Sequence, residues 1–399
     1  MNKLKRAYKM EINPTQEQKS NIHQTIGVSR FVYNFYIAHN KEIYKKEGKF
    51  VSGIDFSKWL NNEYIPKNQD MKWIKEVSSK ATKQAIMNGD KAFRDFFKKA
   101  KDFPRFKKKK NQDVKAYFPK NNKTDWTIER HRVKIPTLGW VRLKEFGYIP
   151  TNSIVKSGTV SRKADRYYVS ILVEERDIEI SNGNTGIKIF NNNNEGIGID
   201  LGIKEFAVCS DGIKFKNINK TSTIKKIEKK LKREQRKLSR KYESLKIRNK
   251  NIKEGRATSQ NIQKQVVKVQ RLHQRLRNIR TDYINKTVFS IIKQKPSYIT
   301  IEDLAVSNLM KNKHLSKAIA SQKFFELKTK LMSKCKQNNI ELRIVNRFYP
   351  SSKTCSNCGK VKKDLKLSDR IYKCDCGLTI DRDLNASINL KNAKEYKIA

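Results

Sequence analysis

The chain has 399 residues, of which 89 are lysine or arginine and 39 are aspartate or glutamate, so its formal net charge is +50 at pH 7. A compact protein with this charge would repel itself unless a polyanion neutralised it. No run of 18 or more apolar residues occurs and Met1-Asn2-Lys3 starts no signal peptide, which argues against a membrane as the anionic partner. The composition therefore predicts a soluble, cytoplasmic protein of two or three domains that is bound to nucleic acid.

A short strand followed by a helix is predicted near the N-terminus. Residues 9–12 read as a strand, and Asn13-Pro14-Thr15-Gln16 then supplies an N-cap, a proline at the first helical position and a glutamine three residues after the cap. From there to about Ala100 apolar residues recur at helical spacing. We therefore expect a helical lobe over residues 13–105, and we assign the strand in residues 1–12 to the β-rich domain that follows the lobe.

Between Val114 and Glu175 apolar and polar residues alternate, which predicts short strands with turns at Pro136, Gly139 and Gly158. A small β-barrel over residues 106–180 fits this pattern best. Residues 181–195 are rich in asparagine and glycine and have weak periodicity, so they predict a linker and a domain boundary.

A second core is predicted over residues 196–350. Its first strands form a hairpin that is apolar enough to be central in a sheet, and two more strands at residues 298–302 and 340–345 flank a helix over residues 318–335. This alternation predicts an α/β core.

A long helical hairpin is predicted inside this core, at about residues 222–285, where apolar residues form two helical stripes. Its outer faces consist almost entirely of lysine and arginine. Such a run can be merely a solvated face, but at this net charge contact with phosphate is the favoured interpretation.

The cysteine pattern is the strongest single signal. Four of the six cysteines form two knuckles, C-x-x-C and C-x-C, separated by a short lysine-rich ribbon. The four are Cys355, Cys358, Cys374 and Cys376. Four thiolates saturate a tetrahedral Zn²⁺ and leave no position for water, so the site would be structural. Unpaired core thiols are the alternative, and the second spacer is one residue shorter than usual. We predict a zinc ribbon over residues 351–378, with a last helix and tail over 379–399.

Three acidic positions stand out by their place on the predicted elements. Asp200 lies on the first strand of the core, Glu302 ends a later strand, and Asp383, two residues after Asp381, opens the last helix. Hydrolysis of a phosphodiester uses two hard cations about 3.5–4 Å apart, and hard cations take carboxylates from different elements. Each acid also has a structural interpretation as a turn former, a surface acid or a helix cap. The residues alone leave both interpretations open.

Five ordered motifs resemble those of the TnpB family. Proteins of this family are encoded by insertion sequences that move as single strands, and they are related to type V CRISPR effector nucleases. The motifs are IGVSRFVYN at residues 26–34, FPRFK at 103–107, GIDLGIK at 198–204, SSKTCSNCG at 351–359 and DRDLNA at 381–386. The likeness covers nearly the whole chain.

The resemblance implies an RNase H-like (RuvC) nuclease whose catalytic triad maps onto Asp200, Glu302 and Asp383, with Mg²⁺ as the catalytic ion. Asp381 is then left as a helix cap. The zinc ribbon is implied to be inserted before the last helix of this core.

The resemblance also implies that the helical lobe and the β-barrel, the wedge domain, form a recognition half, that a transposon-end RNA supplies a guide, and that double-stranded DNA is cut after pairing. Base pairing would read the target while the protein reads only a short flanking motif. In the family that motif is read partly from the helix that would run here near residues 79–97. Lys80, Lys83 and Gln84 are therefore candidate DNA-binding residues.

Together these features predict a multidomain α+β protein: a helical lobe and a small β-barrel, followed by a RuvC-like core with an inserted four-cysteine zinc ribbon. We expect an RNA-guided DNA endonuclease that leaves 5′-phosphate and 3′-hydroxyl ends and is nucleoid-associated through DNA binding. One alternative is a nuclease-inactive RNA-guided DNA-binding repressor, against which the three acids argue. The other is a guide-free zinc-ribbon nucleic-acid-binding protein.

Overall fold

The computed structural model describes residues 4–108, 114–119, 125–151, 153–175, 195–252, 259–366 and 368–399. The chain divides into two compact units, Met1–Thr185 and Gly186–Ala399. Except for Glu195, the expected linker over residues 181–195 lies outside the described residues. In the described part of the chain no helix has both the length and the apolar character needed to span a bilayer.

The first unit begins with strand β1 (Leu4–Asn13) and the long helix α1 (Gln16–Glu47). The N-cap of α1 is Thr15, whose hydroxyl accepts from the backbone N–H of Gln18 while the Gln18 side chain accepts from the backbone N–H of Thr15. The expected cap at Asn13 is therefore wrong by two residues. Asn13 still pairs with Arg142 in the sheet, and Thr15 with Gln18 forms the reciprocal capping box instead.

Shorter helical segments complete the helical part of this unit. They are α2 (Gly53–Trp59), a π-helical turn (Leu60–Tyr64), α3 (Ile65–Lys67), a 3₁₀ segment (Gln69–Glu76) and α4 (Ser79–Phe97). Their apolar sides meet α1 in one core that includes Tyr36, Phe56 and Phe93. The helical part of this unit therefore consists of several helices packed around one core.

A seven-stranded antiparallel sheet forms the rest of the first unit, in the order β2-β6-β7-β1-β5-β4-β3. Its further strands are β2 (Val114–Pro119), β3 (Thr127–Ile128), β4 (Arg132–Ile135), β5 (Gly139–Leu143), β6 (Ile154–Lys163) and β7 (Arg166–Glu175). β1 pairs with both β7 and β5, so the N-terminal strand belongs to this sheet. Within the described residues no pairing joins β2 to β3, and closure into a barrel stays a prediction.

Gly158 corrects one expectation in this sheet. It was expected in a turn but lies inside β6, opposite Phe118 of β2 and Ile171 of β7. A Cβ at this position would lie 2.0 Å from the indole ring of Trp126. The glycine therefore makes room for a core aromatic ring, which is another reason for glycine inside a strand.

The second unit is built on a six-stranded sheet in the order β10-β9-β8-β11-β12-β15. Its strands are β8 (Ile197–Leu201), β9 (Glu205–Cys209), β10 (Lys214–Lys216), β11 (Tyr298–Glu302), β12 (Glu341–Val345) and β15 (Lys397–Ile398). β8, β9 and β10 form an antiparallel meander, whereas β8, β11 and β12 run parallel. The carboxyl ends of these three parallel strands therefore lie at one edge of the sheet.

Two long helices between β10 and β11 form the expected hairpin, α5 (Ser222–Asn251) and α6 (Gln260–Lys293). Apolar residues at helical spacing join them; the buried ones are Ile224, Ile227, Leu231, Val269 and Leu276. One buried polar pair crosses the same interface, where the side chain of Gln265 donates to the Glu234 carboxylate at 2.8 Å.

Three helices connect β11 to β12 where one helix over residues 318–335 was expected. They are α7 (Val306–Leu309), α8 (Ser316–Gln322) and α9 (Phe324–Gln337). The break between α8 and α9 falls at Lys323, which has a φ of +58° and cannot continue a right-handed helix. Its side chain donates to Thr281 of α6 at 2.8 Å, so tertiary contacts hold the break in place.

A small ribbon separates β12 from the last helix. Strands β13 (Ile371–Lys373) and β14 (Thr379–Asp381) pair with each other, and helix α10 (Arg382–Lys391) begins directly after β14. Helix α10 packs against β8 and β11, so the ribbon is an insertion between two parts of the same core.

Candidate active site and metal centre

Asp200 and Glu302 lie side by side on the two central parallel strands of the second unit. The register pairs Ile199 of β8 with Ile301 of β11, and one residue further along both strands it brings Asp200 beside Glu302. Aligned residues of parallel strands point to the same face. Both acids therefore stand together at the carboxyl ends of their strands, where open α/β sheets bind ligands.

Gly198 allows the helix that carries the third acid to approach. It lies two residues before Asp200 on β8 and so belongs to the same face of the strand. A Cβ at Gly198 would lie 2.0 Å from the backbone oxygen of Ser387 and 2.4 Å from the backbone nitrogen of Lys391. Helix α10 therefore rests directly on the backbone of β8. Its first turn brings Asp383 close enough to Asp200 for their charges to interact.

Burial and nearby negative charges raise the pKa values of two carboxyl groups in this cluster. Burial, then the charges of Asp383 and Glu302, raise the pKa of Asp200 to about 7. Burial and the neighbouring Asp303 raise the pKa of Glu302 to about 6. Arg382 acts in the opposite direction on Asp200. Such raised values, produced by burial and like charge together, are typical of functional sites.

Asp381 and Asp383 have different surroundings. The Asp381 carboxylate accepts from the backbone N–H groups of Asp383 at 3.0 Å and Leu384 at 3.1 Å, which makes it the N-cap of α10. Burial opposes ionisation of Asp381, but the N–H of Leu384 and the ammonium of Lys214 outweigh it and lower its pKa. Asp383 has the Arg382 guanidinium at 3.3 Å and remains beside Asp200. The cap expected at Asp381 is therefore present.

The four predicted zinc ligands lie close together. Their Sγ atoms all lie within 4.8 Å of one another, and two contacts, Cys355 to Cys376 and Cys358 to Cys374, are 3.6 Å long. Four sulfurs bound at 2.3 Å to one tetrahedral ion would be about 3.8 Å apart. The shortened second knuckle, whose turn has the positive φ of Gly377, thus still leaves the four sulfurs close enough together to bind one ion.

Among the residues that the structure describes, these cysteines are the group whose ligand atoms have the spacing of a formed metal site. Asp200, Glu302 and Asp383 share one electrostatic neighbourhood without reaching that spacing. The structure thus brings all three acids to one edge of the sheet, and it distinguishes their loose grouping from the close grouping of the thiols.

Two asparagines of α10 fasten the ribbon to the core. Buried Asn385 donates to the backbone oxygen of Thr354 at 2.7 Å and accepts from the backbone N–H of Ser356 at 3.0 Å, so it binds both sides of Cys355. Asn389, one turn later, donates to the backbone oxygens of Ser351 at 2.8 Å and Thr354 at 2.6 Å. The first cysteine knuckle is therefore hydrogen-bonded to the helix that carries Asp383.

The candidate DNA-binding residues Lys80, Lys83 and Gln84 lie on α4 in the first unit, away from the acids in sequence and in a different unit. Lys80 is half-buried and bonded to Asp125, Lys83 is exposed, and Gln84 donates to Asn88 at 3.1 Å. Lys80 also lines an open groove of about 660 Å³. The other cations along this groove are Lys75 and Lys134.

Sequence reasoning assigned no role to Gly198, Asn385 or Asn389, although the first two lie in quoted motifs. A polar asparagine on the apolar side of a helix was the available signal for the two amides. No sequence signal pointed to the tight approach of α10 at Gly198, because it depends on a partner almost 190 residues away in the chain.

Three family models match the chain. A model described as "Helix-turn-helix domain" matches residues 1–49, the IS605 OrfB model described as "Probable transposase" matches residues 171–313, and one described as "Cas12f1-like, TNB domain" matches residues 324–390. The first of these ranges holds β1 and the single helix α1 in its described residues, rather than two helices around a turn.

Relatives match over almost the whole chain. A Streptomyces pristinaespiralis protein assigned as an RNA-guided DNA endonuclease is 31% identical over 98% of this chain and 89% of its own length. InsQ of Escherichia coli K12, with the same assignment, is 30% identical over 98% of this chain and 93% of its own length. The Cas12f1 chain in a cryo-EM structure with sgRNA and target DNA aligns over 100% of both chains with a TM-score of 0.57 and 14% identity, which shows a common fold.

Proposed function

This chain belongs to the TnpB family of RNA-guided DNA endonucleases of insertion sequences, and we propose that it cuts target DNA with Asp200, Glu302 and Asp383. The observation that carries this proposal is the placement of Asp200 beside Glu302 on parallel strands, with the first turn of α10 close enough to Asp200 for the charge of Asp383 to act on it. We assign the second unit as an RNase H-like (RuvC) core on the same ground.

The three acids suit a hard divalent cation such as Mg²⁺. Their oxygens come from three separate elements, β8, β11 and α10, which is how proteins commonly surround such ions. The raised pKa values of Asp200 and Glu302 mark a concentration of negative charge that a cation would relieve. When bound, a pair of Mg²⁺ ions supplies an activated water and stabilises the leaving oxygen of a phosphodiester.

The chain's own residues would hold and neutralise this site. Asp200 would be shared at the centre, since it is more deeply buried than Glu302 and interacts with both other acids. Asp381 would fix the start of α10 through its two backbone bonds and keep Asp383 at the end of β8. Arg382, at 3.3 Å from Asp383, would add positive charge beside the acids. We expect cleavage to leave a 5′-phosphate and a 3′-hydroxyl.

The cysteine cluster would hold one structural Zn²⁺. Four thiolates, whose sulfurs lie within 4.8 Å of one another, would saturate a tetrahedral ion and leave no place for a substrate oxygen. A two-stranded ribbon of this size buries too little apolar surface to fold alone, so the ion would supply its folding energy.

The partners we propose are a guide RNA from the transposon end and double-stranded target DNA. The net charge of +50 fits a protein that encloses nucleic acid by its backbone. The first unit would then be the recognition half, with its helical lobe and its sheet as a wedge domain that reads a flanking motif, and Lys80, Lys83 and Gln84 would contact the DNA. Such a protein would work in the cytoplasm, on the DNA of the nucleoid.

The test is cleavage of a plasmid by protein purified together with its RNA. Sequencing that RNA identifies the guide, and the plasmid carries a matching site beside a randomised flank. Unmutated protein should cut the plasmid in the presence of Mg²⁺, and Asp200→Ala should bind it without cutting. Equal cutting by both proteins would remove Asp200 from the mechanism, and RNA of no defined length would favour the guide-free binder.

A further inference from the structure

Phe348 is the most exposed large apolar side chain among the described residues, with 86% of its surface open to solvent. It lies just after β12, at the edge of the sheet where Asp200 and Glu302 stand. An isolated exposed phenylalanine is unremarkable on a protein surface. The location of Phe348, its neighbours and the hydrogen bonds that hold its backbone in place indicate a binding role.

The turn that carries Phe348 is joined directly to the strand that carries Glu302. In the parallel register Glu302 pairs with Val345, the last residue of β12. The backbone N–H of Asp303 donates to the oxygen of Val345 at 3.0 Å. Residues 346–348 therefore begin immediately beside Glu302.

Asp303 gathers two cations at the same place. Its carboxylate accepts from Lys328 of α9 at 3.0 Å and from Arg347 at 3.3 Å. Both cations are therefore held at the end of β11, and Arg347 directly precedes Phe348 in the chain. Two positive charges on one carboxylate leave the cluster with a surplus of positive charge.

The ring of Phe348 plays no part in holding the turn. Asn346 does this: its side-chain oxygen accepts from the backbone N–H of Phe348 at 3.0 Å, and its backbone oxygen accepts from the N–H of Tyr349 at 3.0 Å. Tyr349, not Phe348, packs on Val345 and Leu390. The turn thus presents an aromatic ring outward at no evident benefit to the fold.

We propose that Phe348 is a stacking platform for an unpaired base of the DNA strand being cut, and that Lys328 and Arg347 bind the phosphates on either side of that base. This proposal rests on the proposed function, because it takes the acids as the place of cleavage. Bases stack on exposed aromatic rings in proteins that bind single strands, and nearby cations follow the backbone. A protein partner fits less well, because Asp303 gathers two positive side chains close to this turn and the chain has a net charge of +50.

The first test compares three substitutions at Phe348 in the complex with its RNA. Phe348→Ala and Phe348→Leu should slow single-turnover cleavage of a matched target about tenfold, which is within the effect of losing one base stack. Phe348→Tyr should cut at nearly the parental rate, and target binding should be unchanged in all three. Phe289→Ala removes a comparably exposed ring, 68% open, from α6, and serves as the control that should cut normally.

A parental cleavage rate in Phe348→Ala or in Phe348→Leu would overturn the stacking role. In that case, cleavage by the unmutated protein and its loss in Asp200→Ala would show that the proposed function itself still holds. A second readout does not need cleavage. Single-stranded DNA containing 5-iodouracil, irradiated with the unmutated protein, should cross-link to the peptide that contains Phe348. Absence of that cross-link alongside cross-links elsewhere would overturn the proposal, and a changed oligomeric mass in Phe348→Ala would indicate a protein contact instead.

Discussion

The side-chain amide of Asn385 donates to the backbone oxygen of Thr354 at 2.7 Å, one residue before the first cysteine of the ribbon. Asn385 lies two residues after Asp383 on the same helix. The cysteine knuckle and the third acid are therefore connected through one buried amide. A ribbon that holds its metal should keep the start of α10 in place, and a ribbon that loses it should not.

Asn385→Ala should weaken this connection without removing a thiol. The backbone oxygen of Thr354 and the backbone N–H of Ser356 would lose a buried partner, which should lower the free energy of unfolding by about 2–3 kcal/mol. We expect cleavage to fall at least tenfold while bound zinc stays near one per chain. Urea unfolding, zinc analysis and single-turnover cleavage measure the three quantities. Asn338→Ala, which loses only a bond to the backbone of Lys334, is the control, and full cleavage by Asn385→Ala would contradict the coupling.

Joint replacement of Cys355 and Cys374 by serine should abolish zinc binding. Each of these residues makes one of the two 3.6 Å sulfur contacts, so the pair removes half of the tetrahedron and one ligand from each knuckle. We expect about one zinc fewer per chain, early proteolysis within residues 351–378, and loss of cleavage because Asp383 follows the ribbon directly. Cys335→Ala, which removes a buried core thiol, should keep the metal. Unchanged zinc in the double variant would refute the assignment.

Gly198→Ala should separate Asp383 from Asp200. The added Cβ would meet the backbone of α10 at 2.0 and 2.4 Å, and backbone atoms cannot move aside as a flexible side chain does. We expect a loss of about 2–4 kcal/mol in unfolding free energy and cleavage below detection. Gly27→Ala, at a helical site with nothing within 4 Å, should be neutral or stabilising by up to about 1 kcal/mol. If Gly198→Ala cut DNA at the parental rate, the close approach would not matter to the site.

The sequence allowed local patterns to be predicted better than their partners. Alternation and helical spacing placed β8, β11 and the hairpin of α5 and α6, because apolar periodicity is a property of one element. Gly158 was expected in a turn and Asn13 at a cap, and both predictions failed because residues distant in sequence, Trp126 and Arg142, decide the local structure.

The site shows the same division. Spacing alone predicted the four thiols as a group, since two short knuckles must meet around one ion. The acids lie on elements separated by about a hundred residues or by the ribbon, so their grouping needed the family resemblance. The break at Lys323 depends on a tertiary contact that no local pattern reports. The exposure of the Phe348 ring likewise has no signal in the sequence.

The protonation of Asp200 gives a prediction about stability. Its pKa is raised from the ordinary 3.8 to about 7 in the folded protein, so between these values the folded state binds more protons than the unfolded state. Stability contributed by the protonated form is then complete below about pH 4 and is lost as the pH rises through about 7. Asp200→Asn cannot ionise and should escape this loss. Its unfolding free energy relative to the parent should therefore increase by about 2–3 kcal/mol from pH 5 to pH 8.

Urea unfolding of both proteins at pH 5 and pH 8, in buffer without added magnesium, measures this increase. Thr300→Val changes a buried neutral side chain on β11, so its effect should be the same at both pH values. Added Mg²⁺ should reduce the advantage of Asp200→Asn at pH 8, because a cation held by the acids favours their ionised form in the parent alone. A stability difference that does not change with pH would mean that Asp200 is neither buried nor crowded by Asp383 and Glu302, and the grouping on which the proposed nuclease site depends would be wrong.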